Sequence, residues 1–185
     1  MIIPFVVTIF VIAIDQISKY IVKTNMHLGQ SFNFIPNILN IRYIENEGAS
    51  FGILKDHRWI FMSLSSVALV FMCAAIVYLC RKKALRKKNL FMNCALGLMF
   101  GGGLGNMIDR IFNVSANPVY AERDMKVVVD FLEFDFVNFA VFNLADTFIC
   151  IGSALFCICI FAGKYAFDIK PEIAETKPEE IAEEI

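Results

Sequence analysis

Four long runs of apolar residues divide the chain. They cover roughly residues 2–23, 59–80, 90–112 and 139–163, and most of the polar residues collect between them. About 20 apolar residues are needed to cross the roughly 30 Å of hydrocarbon in a bilayer as a helix, so each run predicts a membrane-spanning helix. We expect the first run to remain as a helix, because it lacks the basic start and small-residue cleavage site of a secretory signal.

The composition agrees with a membrane protein. Of the 185 residues, 58% are hydrophobic and 19% are charged, and the mean hydropathy is +0.62. A soluble domain of this size would need more polar surface. The predicted fold class is therefore an α-helical membrane protein with four transmembrane helices, and residues 1–164 are expected to form one domain.

The basic segment RKKALRKK (81–88) predicts the orientation of the helices. It places six Lys and Arg residues between the second and third runs. The positive-inside rule puts this segment in the cytoplasm. Four spans then place both termini in the cytoplasm and segments 24–58 and 113–138 outside. The acidic tail, 165–185, is expected to be cytoplasmic and disordered.

Both outside segments carry strand-like patterns. Apolar side chains alternate with polar ones from Leu39 to Tyr43, and the stretch KVVVDFLEF (126–134) contains a second short strand. We expect these strands to form a small extracytoplasmic β platform on the membrane surface. Asn46 and Gly48 are typical of a turn at the end of the first pattern.

The cysteine and histidine residues do not predict a metal site or a disulfide. All six cysteines fall inside the apolar runs, where they are interpreted as small buried apolar residues. Cys157 and Cys159 point to different faces of a helix, which is poor geometry for a shared metal ligand. His27 and His57 are too few for a His-based zinc site. No metal and no cofactor are therefore expected.

Charged and amide side chains interrupt the runs in three groups. These groups are Asp15 and Lys19 in the first run; Asn106, Asp109 and Arg110 at the end of the third; and Asn143 and Asp146 at the start of the fourth. With alternating helix directions, all three groups fall at the outer boundary of the membrane. Charges in a membrane face protein or water. The groups predict either a polar cluster that locks the helices together or one shared site.

A glycine-rich stretch, GGGLGNMIDR (101–110), precedes the second of these polar groups. It carries four glycines in five residues near the end of a span. Small residues allow helices or a peptide backbone to approach closely. The stretch therefore predicts close helix packing or a groove for substrate, and it lacks the lysine and spacing of a phosphate-binding loop.

Asp130, in the second outside segment, gives Asp146 a possible partner. Asp146 lies sixteen positions after Asp130, which allows the chain to turn and bring both carboxyls together. Two adjacent carboxyls share a proton, so that one is a base and the other an acid near neutral pH. Such a pair activates water for peptide hydrolysis or carries protons. Aspartyl proteolysis and proton-coupled transport by a transporter or channel subunit both remain open at this point. A binding scaffold, the third possibility, leaves Asp146 unexplained.

Five blocks in sequence order carry a resemblance to a known family. They are DQISK (15–19), NEGASFGIL (46–54), GGGLGNMIDR (101–110), VVDF (128–131) and FNLAD (142–146). In this order, and on a four-span topology, the chain resembles bacterial lipoprotein signal peptidase, or signal peptidase II. The blocks extend over most of the chain before the tail.

The resemblance implies an aspartyl endopeptidase of the inner membrane. Such enzymes remove the signal peptide from diacylglyceryl-modified prolipoproteins, cutting before the lipid-modified Cys, and they are inhibited by globomycin. It implies that Asp130 and Asp146 are the catalytic dyad. Further matches imply substrate-binding or dyad-supporting roles for Asn46, Gly48, Asn106, Arg110 and Asn143, and structural roles for Asp15, Lys19 and Asp109. Expected partners are the prolipoprotein and membrane lipids, with no nucleic acid, and the protein is expected to be a monomer.

The chain departs from the family pattern mainly between Arg110 and the VVDF block. Residues 111–128 form a connection longer than usual, which is interpreted as a decorated loop, with a lid as the alternative. Gly103 and Ser50 each stand where an Ala is common, and neither change touches the expected chemistry.

Overall fold

The computed structural model of the protein describes residues 2–46, 58–81, 90–122 and 124–161. The predicted turn residue Gly48, the basic segment after Arg81 and the acidic tail lie outside these ranges. The described elements follow the order α1 (Ile3–Asn25), β1 (Ser31–Ile35), β2 (Leu39–Asn46), α2 (Arg58–Arg81), α3 (Leu90–Phe112), α4 (Pro118–Ala121), β3 (Val128–Phe134) and α5 (Leu144–Phe161).

Four of the described helices are long and apolar enough to cross a membrane. They are α1, α3, α5 and the part of α2 from Met62 to Arg81. Together with the three-stranded sheet, they confirm the predicted fold class. Their outward faces carry large exposed apolar side chains, as expected of surfaces that contact lipid: Ile9, Phe10, Ile17, Val70, Phe71 and Ile158.

The fourth span begins later than its hydropathy predicts. Helix α5 starts at Leu144 instead of residue 139. The residues before it are extended, because Phe142 exchanges backbone hydrogen bonds with Leu132 of β3 at 2.7 and 3.0 Å. The rings of Phe139 and Phe142 also contact each other, and both contact the ring of Phe134. These apolar side chains therefore belong to an aromatic cluster beside the sheet and are not part of α5.

Helix α3 lies at the centre of the bundle and packs most extensively against α5 and α1. Two of its glycines allow this close approach. A Cβ atom at Gly102 would lie 2.4 Å from the backbone oxygen of Ala145, and one at Gly105 would lie 2.5 Å from Asp15 Oδ2. At these positions the glycine-rich stretch is a packing surface, which agrees with the first of its two predicted roles.

The three strands form an antiparallel sheet in the order β1-β2-β3. In β2, Glu45 pairs with Val129 of β3 and Asn46 pairs with Val128. The buried side chains of Tyr43 and Val129 pack with Val22 of α1. The sheet therefore rests on the C-terminal ends of α1 and α3 and the N-terminal end of α5, which we call the sheet end of the bundle.

Candidate active site

Asp130 lies on β3 and is almost fully buried, with 3% of its surface exposed. Its Oδ1 accepts a hydrogen bond from Asn143 Nδ2 at 2.6 Å, and its Oδ2 accepts one from Asn46 Nδ2 at 3.0 Å. The pKa of Asp130 is raised from 3.8 to about 7, mainly by burial and next by the charge of Asp146, while the hydrogen bonds from the two amides and the charge of Lys19 act in the opposite direction. This carboxyl can therefore exchange a proton near neutral pH.

Asp146 lies in the first turn of α5 and forms a capping box with Asn143. The side-chain oxygen of Asn143 accepts a hydrogen bond from the backbone N–H of Asp146 at 3.0 Å. In return, Asp146 Oδ2 accepts one from the backbone N–H of Asn143 at 3.2 Å. This reciprocal pairing begins the helix and orients the carboxylate. The N-terminal end of a helix is also a favourable place for a negative charge.

Two amide side chains connect the two carboxyls. Asn143 Nδ2, which donates to Asp130, also lies 3.0 Å from Asn106 Oδ1. Asn106 Nδ2 in turn donates to Asp146 Oδ1 at 2.7 Å. Four polar residues from three separate parts of the sequence thus form one continuous hydrogen-bonded chain at the sheet end.

Lys19, a buried lysine of α1, contacts this chain of hydrogen-bonded side chains. Lys19 Nζ lies 2.8 Å from Asp15 Oδ2, 3.0 Å from Asp109 Oδ2 and 3.0 Å from Asn106 Oδ1. Because an ammonium group only donates, Asn106 must turn its oxygen toward Lys19 and its NH2 group toward Asp146. The lysine therefore fixes the orientation of the amide that contacts Asp146.

Asp15 and Asp109 connect the elements that carry the dyad. Asp15 Oδ1 accepts the backbone N–H of Ala145 in the first turn of α5, at 3.0 Å. Asp109 Oδ2 accepts the backbone N–H of Val129, next to Asp130, at 3.3 Å. Each carboxylate thus accepts a hydrogen bond from the backbone next to one of the two candidate catalytic residues.

Arg110 and Gly48 are the remaining residues that were predicted for the site. Arg110 donates from Nη1 to the backbone oxygen of Asn106 at 3.1 Å, so the two residues lie on one face of α3 as their spacing predicts. Gly48 lies outside the described residues.

Sequence reasoning missed Gln16 and Glu45. Gln16 Nε2 lies 3.2 Å from Asp15 Oδ2, 3.1 Å from Asp109 Oδ1 and 3.1 Å from the backbone oxygen of Gly105. Its position beside Asp15 in an otherwise apolar run was the signal that could have revealed it. Glu45, next to Asn46, contacts the connection between α3 and β3, which no local pattern indicates.

Comparisons with known proteins show which family the chain is related to. A family model described as Signal peptidase (SPase) II matches residues 7–162. The chain belongs to the signal peptidase II family. The lipoprotein signal peptidases of Streptococcus pyogenes serotypes M6 and M1 are each 35% identical to it over 153 residues, which is 83% of this chain and 89% of the relative.

Two solved structures of bacterial membrane enzymes share the fold. One, at 2.3 Å resolution, has a TM-score of 0.66 and 32% identity, and the match covers 92% of this chain and 93% of that one. The other, at 1.9 Å resolution, has a TM-score of 0.64 and 34% identity, with 85% and 91% covered.

Membership in the signal peptidase II family makes the chain a protease. With its four apolar helices, it is a multi-pass protein of the bacterial inner membrane. Of the functional classes that the sequence leaves open, membership supports the protease.

Proposed function

We propose that this protein is an aspartyl endopeptidase that removes the signal peptide from diacylglyceryl-modified prolipoproteins, cutting just before the lipid-modified Cys. The family supports signal-peptide removal from prolipoproteins. The observation that carries the aspartyl mechanism is the hydrogen-bonded chain that links Asp130 to Asp146 through Asn143 and Asn106.

The environments of the two carboxyls suggest how they divide the chemistry. The pKa of Asp130 is raised to about 7, so this residue keeps the shared proton at and below neutral pH. Asp146 accepts two hydrogen bonds at the N-terminal end of α5, where its negative charge is favoured. In this proposal Asp130 is the resting acid and Asp146 the resting base.

The reaction then needs no covalent intermediate. Asp146 takes a proton from a water molecule while the water oxygen attacks the scissile carbonyl carbon. Asp130 gives its proton to the amide nitrogen as the carbon–nitrogen bond breaks. The products are a carboxyl group on the signal peptide and a free amine on the Cys. After the reaction the single proton of the dyad lies on Asp146, and its return to Asp130 restores the resting state.

The position of the dyad fits a substrate anchored in the membrane. We infer from the basic segment 81–88 that the sheet end faces outward, with both termini in the cytoplasm. The dyad then lies near the outer surface, where lipid chains on the substrate can remain in the bilayer while its scissile bond reaches water. We also propose that the protein acts as a monomer.

A pair of matched substrates tests this function. Purified protein should cleave a prolipoprotein whose Cys carries diacylglycerol, and mass spectrometry should find the new N-terminus at that Cys. The same precursor with an unmodified Cys should be cleaved far more slowly, and globomycin should inhibit the reaction. The proposal would be overturned if several lipidated precursors stayed intact, or if cleavage occurred equally well without the lipid.

A further inference from the structure

The connection between α3 and β3 is held in place at its base. We call residues 113–127 the connecting segment; it is described except at residue 123. Asn113 and Val127 face each other, with the backbone N–H of Val127 donating to the oxygen of Asn113 at 2.9 Å and Asn113 Nδ2 donating back at 3.1 Å. Ser115 N–H donates to the oxygen of Met125 at 3.0 Å. The base is therefore closed by hydrogen bonds between the two ends of the segment and is not a free hinge.

Glu45 joins this segment to β2. One carboxylate oxygen accepts the backbone N–H of Ala116 at 2.7 Å and the hydroxyl of Tyr43 at 2.7 Å. The other accepts the hydroxyl of Ser115. Burial, followed by the contact with Glu45, raises the pKa of Tyr43, so its hydroxyl keeps its proton and remains a donor. Both oxygens of Glu45 are thus engaged, and the segment is fixed to the end of the strand.

Glu45 immediately precedes Asn46, which is the last residue of β2. Asn46 Nδ2 donates to Asp130 Oδ2 at 3.0 Å. Asn46 pairs with Val128 of β3 and is bonded directly to Glu45, so the position of its amide depends on the strand pairing and on what fixes Glu45. The contacts of Glu45 supply that fixation from outside the sheet.

We propose that Glu45 is a positioning residue, which uses the connecting segment as a fixed support to hold the Asn46 amide against Asp130. The inference rests on the proposed function, because it concerns the same dyad. It assigns the long connection a supporting role in place of the lid or the simple decoration considered from the sequence.

The expected effect has a direction that can be tested. The hydrogen bond from Asn46 lowers the pKa of Asp130. If Glu45 positions Asn46, its loss should raise that pKa, and the alkaline limb of kcat/KM should move to higher pH. Loss of a nearby negative charge alone would move it to lower pH. The charged groups on the elements around Asp130 are Asp15, Lys19 and Lys23 of α1, Arg42 and Glu45 of β2, Asp109 and Arg110 of α3, Glu133 of β3 and Asp146 of α5.

The experiment compares Glu45→Ala, Asn46→Ala and the double variant with the wild type, on a lipidated prolipoprotein across pH 5 to 9. We expect Glu45→Ala to move the alkaline limb upward, in the same direction as Asn46→Ala, and to lower kcat by about 3- to 10-fold. The double variant should behave like Asn46→Ala alone, because both changes act through one hydrogen bond.

Two further variants are included. Ser115→Ala tests the inference without changing any charge, and Glu133→Ala is the matched control. Ser115→Ala leaves every charge in place and should move the limb upward by a smaller amount; it decides the question if Glu45→Ala does not fold. Glu133→Ala removes a carboxylate from the same sheet, where it pairs with Arg42 at 2.8 Å, and should leave the limb in place.

Several results would overturn the inference. The first is an alkaline limb that stays in place or moves to lower pH in Glu45→Ala; if that variant does not fold, an unmoved limb in Ser115→Ala counts in its place. The second is a shift in the double variant that equals the sum of the two single shifts. The third is a shift in Glu133→Ala as large as that in Glu45→Ala. The absence of a shift in Asn46→Ala would also remove its basis. A wild-type protein that cleaves no lipidated substrate would instead contradict the proposed function, so the two failures are distinguishable.

Discussion

Replacing Lys19 by methionine would remove a buried ammonium group and leave two carboxylates facing each other. The side chains of Lys19, Asp15 and Asp109 are at most 4% exposed, and the two ion pairs measure 2.8 and 3.0 Å. Methionine has a similar length and shape, so the substitution tests charge more than volume. The loss should therefore appear as an electrostatic cost within a preserved bundle.

The magnitude follows from the burial of the partners. Removing one member of a buried ion pair costs about 3–5 kcal/mol, because the remaining charge is left uncompensated. At about 2–4 °C per kcal/mol for a chain of this size, the melting temperature should fall by on the order of 10 °C. Activity should fall as well, because Asn106 loses the contact that fixes its amide toward Asp146.

The assay is thermal unfolding in detergent micelles, followed by circular dichroism. Lys126→Met is the matched control, since Lys126 pairs at 2.8 Å with Asp124, whose side chain is 75% exposed, and such pairs contribute about 0–1 kcal/mol. Adding Asp15→Asn and Asp109→Asn to Lys19→Met should recover much of the lost stability. A Lys19→Met variant that melts no lower than Lys126→Met would refute the reasoning.

Three other predictions follow from the same geometry. Asn143→Ala should lower kcat by about 10- to 100-fold in the cleavage assay, because it removes a hydrogen bond to a carboxylate together with the cap of α5; an unchanged kcat would contradict this. Gly102→Ala should lower the melting temperature strongly, because the new methyl group would lie 2.4 Å from a backbone oxygen of α5, whereas Gly103→Ala meets only the flexible end of a leucine side chain and should be tolerated; equal effects would be the contrary result. Between pH 4 and 7 the wild type should lose up to about 1.4 kcal/mol of stability per pH unit through Asp130, whose pKa rises from 3.8 to about 7 on folding. The stability that protonated Asp130 contributes is complete below pH 4 and lost above pH 7. The melting temperature of Asp130→Asn should therefore fall less steeply with pH than that of the wild type, and equal slopes for the two proteins would contradict this prediction.

The membrane spans could be predicted because a helix in lipid must be apolar over its whole length. The third run matches α3 from Leu90 to Phe112. The start of α5 could not be read from hydropathy, because Phe139 and Phe142 are as apolar as the helix yet pack beside the sheet. The capping box of Asn143 and Asp146 marks the true boundary, and it was visible in the sequence as a polar pair.

The sequence predicted that polar groups from several elements meet at one end of the bundle, but it predicted individual contacts only within one element. The pairing of Asp15 with Lys19 follows from their spacing on α1, and it is present at 2.8 Å. The contact of Lys19 with Asn106 depends on how α1 and α3 are rotated against each other, which the sequence does not state. The contact of Glu45 with Ser115 spans 70 residues and depends on the path of the connecting segment.

The most direct test of the central claim is cleavage of a lipidated prolipoprotein by the wild type, Asp130→Asn and Asp146→Asn, each shown to be folded by its melting curve. We expect product from the wild type and essentially none from either variant, because the reaction needs both an acid and a base. Full activity in either variant would contradict the assignment of the dyad and would place the chemistry on another carboxylate.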